Sequence, residues 1–115
     1  MHLFVYGTLK RGGSRHEYLS QQKFVATVRT RPRYRLYDLG DYPGLVEQAD
    51  GRTIEGELWD IDADCLSQLD AVEGCDEGRY RRSGIELLPP HDRLAVAAYF
   101  YAGTVEGRPD CGARW

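Results

Sequence analysis

Near the start of the chain, the stretch His2-Leu3-Phe4-Val5-Tyr6-Gly7-Thr8-Leu9 combines a strand signal with a turn signal. The apolar and aromatic run over residues 2–6 is typical of a short buried strand. It continues directly into the loop 7–13, which contains three glycines. Because glycine turns without a Cβ clash, backbone amides in such a loop can converge on an anion or a developing oxyanion. The local pattern by itself still favours a simple turn over a binding site.

Further segments favour strands, together with one short helix near the first loop. The strand segments are residues 24–28, 33–38, 45–47, 53–60, 79–88 and 94–101. The dipeptide Asp50-Gly51 is typical of a type I′ turn, which predicts that 45–47 and 53–60 form a hairpin. Ser14–Glu17 matches a capping box and predicts a helix over residues 15–22.

A second helix is predicted after residue 62. Asp62 can cap it, and apolar residues recur within it at helical spacing, at Cys65, Leu66, Leu69 and Val72. Gly74 lies just past its end, where glycine commonly stops a helix. Mostly antiparallel strands with two short flanking helices predict an α+β fold, a small mixed β-barrel, in one domain spanning residues 1–115.

The composition is that of a folded chain. Its 115 residues are 42% apolar and 29% charged, which supplies a modest core and a polar surface. The longest apolar run, residues 94–102, is far shorter than the ~20 residues that a membrane-spanning helix needs. The first residues lack the pattern of a secretory signal. We therefore expect a cytoplasmic protein with no membrane partner.

The charge balance argues against a nucleic-acid partner. Fifteen Lys and Arg against eighteen Asp and Glu give a net charge of −3, whereas nucleic-acid binders usually concentrate positive charge on one face. Arg29, Arg31, Arg33 and Arg35 alternate, so an extended strand would place all four on one side. Such a row could follow a phosphate backbone, but it is more often a solvated strand face.

The cysteines and histidines show no metal-site or disulfide pattern. Cys65, Cys75 and Cys111 are odd in number and lack the two-residue spacing of zinc sites. The three histidines are scattered along the chain. We expect three reduced thiols, no metal and no cofactor.

The end of the second predicted helix carries two acids, Asp70 and Glu73, close together on the helix surface. Leu69 and Val72 face the core, so Glu73 is expected near the rim of the fold. A carboxylate at this end opposes the helix dipole, which favours cations there. An unfavourable acid beside Gly74 is a weak sign that it is kept for function, and a solvated surface glutamate is the ordinary alternative.

Aromatic residues are abundant, with eight tyrosines and two tryptophans. Several lie in or beside predicted strands, namely Tyr42, Trp59, Tyr80, Tyr99 and Tyr101. Such rings and hydroxyls can line a cavity, although core packing is their usual role. We expect most of them in the core and one or two facing a ligand.

Several of these segments match one known pattern. They are Val5–Gly12, Leu36–Val46, Gly56–Trp59, Leu69–Gly74 and, downstream, Tyr80–Arg82. Together they resemble the gamma-glutamylcyclotransferase-like family, most closely its short members related to gamma-glutamylamine cyclotransferase. They fall in the family's order and cover most of the chain, so the set is fairly specific.

The resemblance implies a small barrel with one central cavity, and a reaction on a small γ-glutamyl substrate. That reaction releases an amine or amino acid and leaves 5-oxoproline. By the same resemblance, Glu73 takes the place of the family's acid/base glutamate. The glutamyl group would be held by the loop Tyr6, Gly7, Thr8 and Leu9, with Tyr42 and Pro43 in the cavity wall.

Departures from the family pattern leave alternatives open. The acidic bridge Cys75–Gly78 is slightly elongated, so Glu77 competes with Glu73 as the base. Glu57 is a further candidate because it shares a predicted strand face with Trp59. A non-catalytic barrel that binds a small acid is the alternative function, and the two differ in whether a carboxylate reaches the ligand's amine.

Overall fold

Residues His2–Val5 form β1, the middle strand of a five-stranded sheet in the computed structural model, which describes residues 1–115. The other strands are β2 (Lys23–Arg29), β3 (Tyr34–Asp38), β4 (Pro43–Glu47), β5 (Glu55–Asp60), β6 (Tyr80–Gly84) and β7 (Val96–Tyr101). The order in the sheet is β2-β5-β1-β7-β6. β1 is parallel to β7, and the other neighbours are antiparallel. β3 and β4 form a separate antiparallel ribbon.

The single α-helix, α1 (Ala63–Val72), begins as predicted, because the Asp62 carboxylate accepts a hydrogen bond from the amide three residues on, at 2.8 Å. The predicted first helix is only a 3₁₀ helix, His16–Leu19, and the capping box at Ser14 is wrong, since no side chain caps it. The amide of Arg15 instead donates to the carbonyl of Thr8 at 2.9 Å, which ties this segment to the glycine loop. None of the helices is both long and apolar enough to cross a bilayer.

The predicted α+β class is confirmed. The predicted barrel is not confirmed, because the five-stranded sheet is open. Closure would require a continuous ladder between the edge strands β2 and β6. The segments that follow these strands meet only at an isolated bridge between Thr30 and Leu87. The β3-β4 ribbon pairs instead with the C-terminal tail, through hydrogen bonds from the Cys111 amide to the Leu36 carbonyl and from the Asp38 amide to the Pro109 carbonyl.

The hairpin predicted at Asp50-Gly51 is wrong, whereas the predicted separation of the strands 24–28 and 33–38 is confirmed. The segments around Asp50-Gly51 form no hairpin, because β4 pairs with β3 while β5 pairs with β1 and β2. Gly51 has no positive φ; a Cβ there would lie 2.3 Å from the amide nitrogen of Tyr34, so glycine is needed for a close backbone approach. The alternating arginines do not share a strand, since β2 ends at Arg29 and β3 begins at Tyr34. Pro32 lies in this break, where it can make no ladder hydrogen bond.

β1 is buried on both faces, which explains its continuous apolar sequence. Leu3, Phe4 and Val5 are at most 2% exposed. Leu3 and Val5 pack in a cluster that includes the buried face of α1, whereas Phe4 and Tyr6 pack with the β3-β4 ribbon. The end of β1 therefore emerges between two packed layers, and the glycine loop begins there.

Candidate active site

A cavity opens where β1 runs into the glycine loop. All seven residues predicted for the site line it: Tyr6, Gly7, Thr8, Leu9, Tyr42, Pro43 and Glu73. Its empty volume is about 520 Å³ when the solvent-open mouth is included, and its wall combines apolar, aromatic and charged side chains. The fold thus brings the loop after β1, the start of β4 and the end of α1 to one place.

The glycine loop, which lines this cavity, contains backbone donors that have no partner within the protein. The Lys10 amide donates to the Gly7 carbonyl at 3.1 Å, and the Arg15 amide donates to the Thr8 carbonyl at 2.9 Å, so the loop is held by its carbonyl groups. The amides of Gly7, Thr8 and Leu9 donate to no acceptor within the protein. Three successive unpaired N–H groups in a concave wall can bind an anion or an oxyanion.

Gly7 is required by the close approach of Pro43. A Cβ at position 7 would lie 2.6 Å from Cγ and 2.8 Å from Cδ of Pro43, well inside van der Waals contact. Pro43 cannot easily move, since it pairs with Asp38 across the ribbon and its carbonyl accepts a hydrogen bond from the Tyr80 hydroxyl at 2.8 Å. The loop and the ribbon are thereby packed together along one wall of the cavity.

Glu73 is the first residue after α1, and its amide still donates to the Leu69 carbonyl at 2.8 Å. Its side chain is half-buried and lines the cavity, rather than pointing into bulk solvent. The carboxylate forms no hydrogen bond or ion pair within the protein. Burial raises the pKa of Glu73, and the nearby positive charges of Arg15 and Arg79 limit that rise. A carboxylate of this kind can exchange a proton with a ligand.

Three tyrosines of the cavity wall are held by hydrogen bonds. The Tyr6 hydroxyl donates to the carbonyl of Tyr99, and the Tyr99 hydroxyl donates to the Asp70 carboxylate at 2.7 Å. Asp70 also accepts two hydrogen bonds from the guanidinium of Arg82. The third tyrosine is Tyr80, whose hydroxyl donates to the Pro43 carbonyl. Burial raises the pKa of all three phenols, so they remain protonated at neutral pH. Asp70 thus has a positioning role behind the wall rather than a place in it.

Of the five aromatic residues named from the sequence, three line the cavity: Tyr42, Tyr80 and Tyr99. This is more than expected. Trp59 instead packs in the core against Phe24, and Tyr101 packs edge-on against Tyr80. The sequence pattern could not separate these roles, because all five lie in or beside strands.

Neither competing base lines the cavity. The Glu57 carboxylate accepts hydrogen bonds from the Arg11 amide and guanidinium, both at 3.0 Å, and from the Trp59 indole at 3.1 Å. Burial by itself raises the pKa of Glu57, but these hydrogen bonds stabilise the charged carboxylate and lower the pKa overall. Glu77 has a side chain that is 72% exposed and pairs with Arg79 at 3.5 Å. Geometry therefore favours Glu73 over both.

Two charged cavity residues, Arg15 and Arg79, were not predicted from the sequence. Arg15 lies inside a stretch that matched a helix start, and Arg79 follows the acidic bridge at Gly78. Neither position carries a local signal for a site. Both were detectable only once the fold had brought the two loops to the same cavity.

Comparison with known proteins shows the family of this chain. The family described as gamma-glutamyl cyclotransferase, AIG2-like, matches residues 3–115. A Vibrio cholerae protein with a provisional gamma-glutamylcyclotransferase name is 45% identical over 84 residues, covering 73% of this chain and 70% of that protein. The human gamma-glutamylaminecyclotransferase is 35% identical over 103 residues, covering 83% of this chain and 67% of the human protein.

Solved structures show the same fold. The crystal structure of an AIG2-like protein from Mus musculus aligns with a TM-score of 0.84 and 27% sequence identity, covering 99% of this chain and 87% of the mouse chain. The family match therefore holds at the level of both sequence and fold, and it confirms the resemblance drawn from the motifs. This chain belongs to the gamma-glutamyl cyclotransferase, AIG2-like family.

Proposed function

We propose that this protein is a γ-glutamylcyclotransferase, which converts the γ-glutamyl group of a small substrate into 5-oxoproline and releases the attached amine or amino acid. One observation carries the proposal. A half-buried carboxylate without a protein partner, Glu73, lines the same cavity as the unpaired amides of Gly7, Thr8 and Leu9. Family membership and the name of the human relative support the same reaction class.

The chemistry is intramolecular. The substrate's own α-amine attacks its γ-carbonyl carbon, a new C–N bond closes the five-membered ring, and the original C–N amide bond breaks. The protein then needs mainly to hold the glutamyl chain in a folded conformation, because a tethered and oriented nucleophile has a very high effective molarity. Tyr42 and Pro43 in the cavity wall are suited to this packing role.

Glu73 supplies the proton transfers. An α-amine is mostly protonated at neutral pH, so a base must free it before it attacks. Glu73 accepts this first proton and returns it to the leaving nitrogen as the original C–N bond breaks. The ring nitrogen then gives its second excess proton to Glu73, which passes it to the departing amine, so that the carboxylate is restored. Burial raises the pKa of Glu73, which brings the group closer to the working pH of a general acid and base.

The glycine loop stabilises the charge that develops on the carbonyl oxygen. The amides of Gly7, Thr8 and Leu9 have no acceptor in the protein, so they are available to donate to that oxygen. Removing one donor from an oxyanion site typically costs about 3 kcal/mol of transition-state stabilisation. Because these donors are backbone N–H groups, replacing a side chain does not remove them. Their contribution is tested instead by substitutions that displace the loop.

The test is a panel of γ-glutamyl amines and γ-glutamyl amino acids, with 5-oxoproline measured by chromatography. We expect turnover by the wild type and a loss of about a hundredfold or more in Glu73→Gln, since general acid–base catalysis contributes on that scale. Glu77→Gln is the matched control, because Glu77 is an exposed acid outside the cavity. A Glu73→Gln protein with wild-type turnover would remove Glu73 from this role. Ligand binding without any turnover by the wild type would favour a non-catalytic binding protein.

A further inference from the structure

The charged residues of the cavity are few and mostly positive. Among its lining residues, the charged side chains are Arg15, Glu73 and Arg79, so the wall carries two guanidinium groups and one carboxylate. The whole chain has a net charge of −3, so this positive excess is a local property of the cavity. A site of this kind favours a ligand with more carboxylates than amines.

Arg15 approaches from the glycine-loop side. Its backbone is fixed by the hydrogen bond from its amide to the Thr8 carbonyl, and its side chain is half-buried. It forms no ion pair with any acid of the protein. Its guanidinium is therefore an unneutralised cation in the wall of the cavity that the Gly7–Leu9 segment also lines.

Arg79 reaches the cavity from the segment between α1 and β6, and half of its side chain is exposed. Its amide donates to the Gly74 carbonyl at 3.1 Å, and its carbonyl accepts from the Ala102 amide at 3.0 Å. Its guanidinium lies so close to Gly74 that a Cβ there would be 2.2 Å from Nε. Gly74, at φ +68°, thus leaves the space in which Arg79 lies next to Glu73.

The only ion pair of Arg79 within the protein, with Glu77, is weak. Glu77 contacts it only through Nε, at 3.5 Å, and both side chains are at least 50% exposed. Exposed ion pairs of this kind contribute little and are screened by salt. The terminal nitrogens of Arg79 remain free to donate to a ligand in the planar, two-pronged geometry that carboxylates accept.

We propose that Arg79 is a specificity-determining residue that selects a leaving group bearing a carboxylate, so that the preferred substrates are γ-glutamyl amino acids or peptides rather than γ-glutamyl alkylamines. This inference rests on the proposed function. A γ-glutamyl amino acid carries two carboxylates and one ammonium, which match the two guanidinium groups and the single carboxylate of the cavity. A γ-glutamyl alkylamine with an uncharged tail leaves one guanidinium unpaired. Arg79, whose side chain is half exposed, is the partner for the carboxylate of the leaving group. Arg15, whose amide is bonded to Thr8 of the glycine loop, is the partner for the carboxylate of the glutamyl group.

The experiment compares two nearly isosteric substrates, γ-glutamylalanine and γ-glutamylalaninamide, by kcat/KM. We expect the wild type to prefer the acid by about tenfold, the scale of a partly exposed hydrogen bond between charged groups. Arg79→Gln should lower kcat/KM for the acid alone and bring the ratio near one, while Arg79→Lys keeps part of the preference. Arg81→Gln is the matched control, because Arg81 is an exposed arginine that does not line the cavity.

Equal kcat/KM values for the acid and the amide in the wild type would overturn the inference and leave the proposed function intact. An equal loss on both substrates in Arg79→Gln would also overturn it, since Arg79 would then act only through Glu73 or the fold. If neither substrate yields 5-oxoproline, the proposed function fails. Calorimetric binding of both compounds to the wild type then tests the selectivity by itself. A roughly tenfold tighter binding of the acid than of the amide would support it, and equal binding would overturn it.

Discussion

Replacing Gly7 with alanine tests whether contact with Pro43 sets the geometry of the glycine loop. Gly7 does not have a positive φ, so alanine introduces no backbone strain of that kind. The effect comes from the added methyl group, which would lie 2.6 Å from Cγ and 2.8 Å from Cδ of Pro43. Carbon atoms in contact normally lie about 3.5–4.0 Å apart, so the loop and the ribbon must separate by roughly 1 Å.

The size of the effect follows from how firmly both sides are held. Pro43 is held by its pairing with Asp38 and by the hydrogen bond from Tyr80, while the loop is held by the Lys10 and Arg15 amides. Overpacking in such a setting typically costs 1–3 kcal/mol, and we expect about 2 kcal/mol of lost unfolding free energy. A displacement of about 1 Å in a site can also lower activity about a hundredfold.

Urea denaturation gives the unfolding free energy, and 5-oxoproline release gives kcat/KM. Gly84→Ala is the control, because the nearest atom to a Cβ there is the Val96 carbonyl oxygen at 3.9 Å, an ordinary contact. We expect Gly84→Ala to remain close to the wild type in both measurements. A Gly7→Ala protein with wild-type stability and activity would refute the argument that the contact with Pro43 requires glycine.

Three further perturbations test the surroundings of the site. Arg15→Gln removes a cation that lowers the pKa of Glu73, so that pKa rises and the acidic limb of the kcat/KM profile moves to higher pH; an unmoved limb would contradict this. Asp70→Asn weakens the charged hydrogen bond to Tyr99 and should cost about 1 kcal/mol near neutral pH by urea denaturation. Burial raises the pKa of Asp70, but its hydrogen bonds outweigh this effect and lower the pKa overall. The stabilisation by the Asp70 carboxylate is therefore present above the unfolded pKa of ~3.9 and is lost as the pH falls through the folded pKa. A cost of Asp70→Asn that persists at pH 2 would contradict this explanation. Leu69→Ala empties a fully buried position on α1 and should cost 2–5 kcal/mol, whereas a cost below 1 kcal/mol would mean that the helix is not packed as described.

Elements with strong local signals were predictable. α1 was placed by the Asp62 cap and by apolar residues at helical spacing, which act within a few residues. The pairing of strands was not, and the predicted hairpin at Asp50-Gly51 shows why. This dipeptide is typical of a type I′ turn, but here Gly51 allows the backbone to pass close to Tyr34. Tyr34 is too far away in the sequence for a local pattern to indicate this contact.

The candidate site was predictable to the extent that motifs carry it. The glycine loop and Glu73 were named from their motifs, and the structure places them in one cavity, while their chemical roles remain proposals. Burial of Glu73 reverses the ordinary expectation of a solvated acid at a helix end. The hydrogen bonds that occupy Glu57 could not be foreseen, since they come from Arg11 in a distant loop.

The order of residues alone was sufficient to establish the buried first strand, the capped helix and the family motifs, because these depend on neighbours along the chain. The open sheet, the two arginines in the cavity and the unpartnered state of Glu73 depend on segments far apart in sequence. Arg15 and Arg79 reach the same cavity only because the loop after β1 packs near the end of α1. Burial and charge at that place are sums over surrounding atoms from several elements, so they arise only after the chain has folded.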